Sequence, residues 1–139
     1  MNIVIMDGQG GQLGAQLVKE ITAQFPNEKL TAIGTNAVAT AAMLKAGAKQ
    51  AATGENPVIV ACRKADVIIG PIGIVIADAL LGEITPAMAI AVGQANAVRI
   101  LIPLNKCENL VAGVASLNTA ALIADAMTKL RFVIASQNQ

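Results

Sequence analysis

A short apolar run at residues 3–6 passes straight into Asp7-Gly8-Gln9-Gly10-Gly11-Gln12-Leu13-Gly14. From there Leu13, Leu17, Val18, Ile21 and Phe25 recur at helical spacing. Such a chain has few options. The run suits a buried strand, the turn is too rich in glycine for either neighbour, and the periodic stretch demands a helix packed on one face. A strand that feeds a helix is half of a parallel crossover, because parallel neighbours need a dozen or more connecting residues.

The same alternation continues. Pro26 and Asn27 stop the first helix, and a second strand is expected over residues 30–33. Asn36 can cap a helix over residues 37–46, with Gly47 just past its end. Strands at 49–53 and 67–69 flank a helix opened by Asn56 and Pro57 and running to residue 65. Residues 74–81 read as a short helix ended by Gly82. Thr85 and Pro86 then start a helix to residue 95, and a fifth strand spans 98–104. The loop at 105–108 is too short for a crossover, so 110–114 is expected as an antiparallel sixth strand at the edge. Ser116 or Asn118 caps a last helix to residue 130, and 136–139 form a polar tail.

The whole chain, residues 1–139, is thus expected as one three-layer α/β domain. Right-handed crossovers and the glycine turn after the first strand favour a Rossmann-like order, 3-2-1-4-5, with the sixth strand antiparallel. The flavodoxin-like order 2-1-3-4-5 is the alternative.

Composition narrows the partners. The net charge is +1, and the only aromatic residues are two Phe, so neither a basic stripe nor a stacking platform for nucleic acid is present. The longest apolar run, 67–77, is broken by Gly70, Pro71 and Gly73, whereas a membrane span needs about 20 residues. The first residues lack a basic region and a cleavage site, and Cys62 and Cys107 stand alone. These features fit reduced thiols in a cytoplasm. Charged residues make up 14%, well below the roughly 25% of an ordinary domain. So few charges leave apolar surface exposed, and a homo-oligomer, with a dimer favoured, is expected.

In an open α/β sheet the ligand crevice lies outside the carboxyl ends of the strands. Glycines and short polar residues gather at those ends, while the opposite turns are plainer. Gly8, Gly11 and Gly14 fit G-x-x-G-x-x-G, a variant of the dinucleotide fingerprint; the stricter G-x-G-x-x-G fails at Leu13. The expected binding residues are Gly8, Gln9, Gly10, Gly11, Gln12, Leu13 and Gly14 in the first turn. Thr35, Asn36, Thr53, Gly54, Asn56, Gly70, Pro71, Ile72, Gly73 and Asn105 follow from the other turns. Their expected ligand is NAD(P) or another adenine nucleotide, its phosphate at the helix N-terminus. The second strand ends Gly34-Thr35-Asn36, without the acid that selects NAD or the arginine that selects NADP.

Catalytic groups are scarce, since the chain has no His and no Tyr. Glu55, Asp78 and Lys106 are the candidates, with Asp7 and Cys107 behind them. Asp7 could accept the turn's own N–H groups, and would then repel a phosphate. No protein-bound metal is expected; only oxygen ligands remain, as for Mg²⁺ with a nucleotide. A nucleotide-binding sensor or regulatory module is the first functional reading. A small enzyme acting on a phosphorylated or nucleotide substrate, and a scaffold subunit without its own ligand, are the alternatives.

Six stretches in order carry a family resemblance: Asp-Gly-Gln-Gly-Gly at 7–11, Gly-Thr-Asn at 34–36, Met-Leu-Lys-Ala-Gly-Ala at 43–48, Ala-Thr-Gly-Glu-Asn at 52–56, Gly-Pro-Ile-Gly at 70–73 and Leu-Gly-Glu-Ile-Thr-Pro at 81–86. Over essentially its whole length the chain resembles a family of short bacterial proteins known only as a domain of unknown function. The resemblance implies a small cytoplasmic bacterial protein and supplies no substrate or reaction. The glycine turn more loosely resembles the short-chain dehydrogenases. Their Tyr-x-x-x-Lys pair has no counterpart in a chain without tyrosine, so that chemistry does not transfer.

Overall fold

A computed structural model describes residues 1–104, 109–115 and 118–138. Its elements are β1 (Asn2–Asp7), α1 (Gln12–Gln24), β2 (Lys29–Gly34), α2 (Ala37–Lys45), β3 (Gln50–Thr53) and α3 (Glu55–Cys62). There follow β4 (Val67–Pro71), a 3-10 turn (Ile72–Val75), α4 (Pro86–Gln94), β5 (Val98–Ile102) and α5 (Thr119–Gln137). The sheet order is β3-β2-β1-β4-β5, and every pairing is parallel. That is the 3-2-1-4-5 order, not 2-1-3-4-5.

The strands read as continuous apolar runs because both sheet faces are covered. Ile3 and Ile5 of β1, with Val67 and Ile69 of β4, pack on Leu17, Val18 and Ile21 of α1, Met43 of α2, and Leu122, Ile123 and Leu130 of α5. Val4, Met6 and Ile68 point to the other side, against Val58 and Cys62 of α3 and Met88 and Val92 of α4. Cys62 is accordingly a buried free thiol. Local capping settles several boundaries: Asn36, Thr85 and Asn118 accept the main-chain N–H groups of Ala39, Met88 and Ala121. Among the described residues no helix is long and apolar enough to cross a membrane.

Some expectations fail. Residues 110–114 do not form a sixth strand. Leu110 is 95% exposed, and Gly113, at φ +84°, turns the chain where a strand would extend it. β5 stops at Ile102, short of residue 104, while α5 runs on past residue 130 to Gln137, into the first half of the expected tail.

The expected helix over 74–81 is also absent. After the 3-10 turn the chain forms a strap, residues 76–85. Asp78, Leu80 and Leu81 there adopt φ of 65°, 57° and 57°, followed by Gly82 at 90°. Each left-handed non-glycine residue costs roughly 1–2 kcal/mol. The conformation survives because it seats Leu80 and Ile84 in the second core beside Ile74, and each such burial contributes roughly 1.5–3 kcal/mol. Main-chain bonds from Asp78 N to Ile84 O (2.7 Å), Gly82 N to Asp78 O (3.0 Å) and Ile84 N to Ala79 O (3.1 Å) close the strap on itself.

Candidate functional site

β1 and β4 are neighbours, and their chains leave the sheet for opposite faces. β1 leads to α1 on the first layer, and β4 leads to the strap and α4 on the second. The crevice between them is the topological switch point, where open α/β sheets hold their ligands.

Asp7 closes β1 and is 5% exposed. Its Oδ1 accepts Gly8 N at 2.8 Å, and its Oδ2 accepts Gly14 N at 2.7 Å. Burial pushes its pKa up against the opposing pull of those two bonds, and nearby Glu83 adds to the rise. Asp7 therefore satisfies two of the turn's N–H groups internally, as its position before the glycines allowed.

The glycines answer first to packing. Gly11 caps α1 in the left-handed region at φ 72°, and a Cβ there would lie 2.6 Å from Ala39 Cα of α2. At Gly14 a Cβ would lie 2.6 Å from Met43 Sδ. At Gly8 it would lie 2.6 Å from Thr35 Oγ1, 2.9 Å from Leu80 Cδ1 and 3.0 Å from Glu83 Oε1. These residues are small because α2 and the strap come so close.

One carboxylate organises the rim. Glu83 Oε1 accepts Gln9 N (2.9 Å), Thr35 Oγ1 (2.6 Å) and Asn36 Nδ2 (2.7 Å). Asn36 Nδ2 also donates to Gln9 O at 3.0 Å, while its Oδ1 caps α2. Partial burial pushes the Glu83 pKa up, but the bonds from Thr35, Gln9 and Asn36 outweigh it and hold the carboxyl below its ordinary value. Glu83 is thus an anion held by the ends of β1 and β2. The amides of Gly10, Gln12 and Leu13 have no acceptor among the described residues.

The structure brings together Gly8, Gln9, Gly10, Gly11, Gln12, Leu13, Gly14, Thr35 and Asn36, and adds Glu83. Sequence reasoning missed Glu83, which stands 74 positions from Gln9. It lies inside the 81–86 stretch that carried part of the family resemblance, and that stretch was its only signal. The other candidates fall elsewhere. Thr53 shares a hydroxyl bond with Thr40 at 2.7 Å, and Gly54 N donates to Gly34 O. Glu55 opens α3 and accepts the Thr85 hydroxyl at 2.5 Å, so it ties α3 to the start of α4. Asn56 lines a groove of about 420 Å³ with Val60 and Lys64 beside the β2–β3 side of the sheet. Asp78 is exposed on the strap. A Cβ at Gly70 would sit 2.3 Å from Met6 O, so its absence serves the β1–β4 approach, and Gly73 faces Ala79 and Leu80. Pro71 ends β4, and Ile72 begins the 3-10 turn. Asn105, Lys106 and Cys107 lie outside the described residues.

Fold and rim together define a Rossmann-like α/β domain whose glycine turn is occupied by a carboxylate of its own chain. Its sequence places it further. The chain belongs to the family described as Domain of unknown function (DUF3842), whose model matches residues 2–135. A comparison with curated proteins gives no match. Among solved structures the chain is similar to a dodecameric FMN-dependent Ubix-like decarboxylase from Escherichia coli O157:H7. The identity is 16%, the match covers 96% of this chain and 76% of that one, and the TM-score is 0.41. A likeness so distant carries no information on ligand or reaction.

Proposed function

We propose that this protein binds a small phosphate-bearing ligand, a nucleotide or dinucleotide, at the glycine turn and acts as a sensor or regulatory module. The observation that carries the reading is the convergence of Gln9 N–H, the Thr35 hydroxyl and the Asn36 amide on one anionic oxygen. Three donors from two strand ends, beside the N-terminus of α1, form a site for a negatively charged oxygen. A phosphate oxygen accepts the same bonds as the Glu83 carboxylate. Asp7 already uses Gly8 N and Gly14 N and disfavours a phosphate on that side of the turn, so a phosphate would meet the Gln9, Gly10 and Gln12 amides instead. Thr35 and Asn36 would hold that same phosphate, with the ribose beyond them at the end of β2. With no acid or arginine at that position, the reading covers NAD, NADP and simpler adenine nucleotides alike.

Two of the candidate acids favour binding over turnover. Asp7 is buried with both oxygens engaged, and Glu55 is tied to Thr85. A cytoplasmic homo-oligomer, a dimer first, belongs to the proposal on the sparse charge of the chain.

The test is a thermal-shift panel of NAD, NADH, NADP, NADPH, ATP, ADP, AMP and inorganic phosphate. It is run on the wild type and on Glu83→Ala, whose donors carry no internal carboxylate. A ligand at 100 times its dissociation constant adds roughly 2.7 kcal/mol. The expected result is a rise of several degrees with at least one nucleotide, lost when Thr35→Val is added. No shift in either protein at millimolar ligand overturns the reading.

A further inference from the structure

We infer that the strap, residues 76–85, is a gate over this site and that Glu83 is the resident anion an incoming phosphate must displace. The inference rests on the nucleotide reading and adds its regulation. The first ground is exclusion. All three converging donors meet on Glu83 Oε1, and the Asp7 carboxylate lies behind them. A phosphate placed on those donors would add a third anion to the cluster, so phosphate and Glu83 compete for one position.

The second ground is steric. Leu80 is 2% exposed and lies where Cβ atoms at Gly8 and Gly73 would touch it. It therefore fills the crevice between the ends of β1 and β4, and a ligand reaching both turns must dislodge it.

The third ground is that the strap is built with two fixed ends and a strained middle. Ile74 and Ile84 are fully buried, and Thr85 is held by Glu55 and by its cap on α4. Between these anchors lie the left-handed residues Asp78, Leu80 and Leu81. Leu81 is 96% exposed. Left-handed non-glycine residues persist only where surrounding contacts impose them, and release of Glu83 and Leu80 removes the contacts that do so here. The chain between the anchors then has two states: closed on its own carboxylate, or open with phosphate in that place.

Two measurements test the gate. The first compares the affinity of the best ligand of the panel, or of AMP if several bind, for wild type and Glu83→Ala. A closed strap lowers apparent affinity by the fraction of open molecules. Glu83→Ala is therefore expected to bind at least about tenfold more tightly. The second follows hydrogen exchange at the amides of Asp78, Gly82 and Ile84, which are bonded within the closed strap. Ligand is expected to speed their exchange in the wild type while slowing it at Gln9 and Gly10. Equal affinities, or strap amides that ligand slows, overturn the gate and leave the nucleotide reading standing. If neither protein binds any member of the panel, the nucleotide reading fails. The gate is then judged without ligand: Glu83→Ala must still speed exchange at the strap amides, and unchanged rates overturn it as well.

Discussion

Gly11→Ala separates the two reasons a glycine can stand in this turn. Gly11 has φ 72°, where an L residue with a Cβ costs roughly 1–2 kcal/mol. The added carbon would lie 2.6 Å from Ala39 Cα and 2.8 Å from Ala39 O. Carbon atoms rest at about 3.5–4.0 Å, so α2 must retreat by about 1 Å, and the obstacle is backbone with no rotamer to offer. Overpacking of this kind costs typically 1–3 kcal/mol, which brings the expected loss to about 2–5 kcal/mol. Against a total stability of about 5–15 kcal/mol that is a large share, and it lowers the melting midpoint by on the order of 10 °C. Urea titration and a thermal melt followed by circular dichroism measure it. Gly10→Ala is the control, because a Cβ there meets nothing within 4 Å; the change should stay within about 0.5 kcal/mol. If the two variants melt together, the close approach of α2 is not what keeps Gly11 a glycine. A ligand would then be the better explanation of the pattern.

The two rim carboxylates should answer pH in opposite directions. The Asp7 pKa is raised on folding, so its contribution is fully present below the ordinary Asp value and is lost as pH rises through the folded value. The Glu83 pKa is lowered, so its contribution is present above the ordinary Glu value and is lost as pH falls through the folded one. Urea melts across a pH series should show Asp7→Asn gaining on the wild type as pH rises through the window above the ordinary Asp value. Glu83→Gln should gain as pH falls below the ordinary Glu value, and stability curves parallel to the wild type would refute either assignment. Leu130→Ala tests the docking of α5: the side chain is fully buried against the first core, and its loss should cost about 2–5 kcal/mol by urea titration. A loss under about 0.5 kcal/mol would mean that α5 is not seated there.

Much of the fold was legible because its determinants are local. Asn36, Thr85 and Asn118 cap helices through an N–H three residues on, so the sequence alone exposes them. The sheet order followed from strand–helix alternation and the glycine turn. The strap was not legible. Ile74, Ile76, Leu80, Leu81 and Ile84 are spaced well enough for a helix, and only the second core decides that Leu80 and Ile84 go inward through left-handed turns. The candidate site was half legible. The glycine pattern pointed to the rim that Glu83 closes, but the neighbours that impose it, Ala39 and Met43, sit on α2 and appear only in three dimensions. Glu83 was out of reach because its partners Gln9, Thr35 and Asn36 lie 74, 48 and 47 positions away.

A site that carries its own counter-ligand measures concentration on a scale it sets itself. In the proposed gate, the threshold at which phosphate prevails over Glu83 would depend on how firmly the strap lies down, and not only on how well the rim grips the ligand. Leu81 and Gly82 project at the exposed part of that strap, and Gly82, at φ 90°, is held in a conformation other residues resist. Under that proposal, substitutions there would retune the response without altering one ligand contact. Two chains with the same Gln9, Thr35 and Asn36 would then answer to different cellular levels of the same molecule.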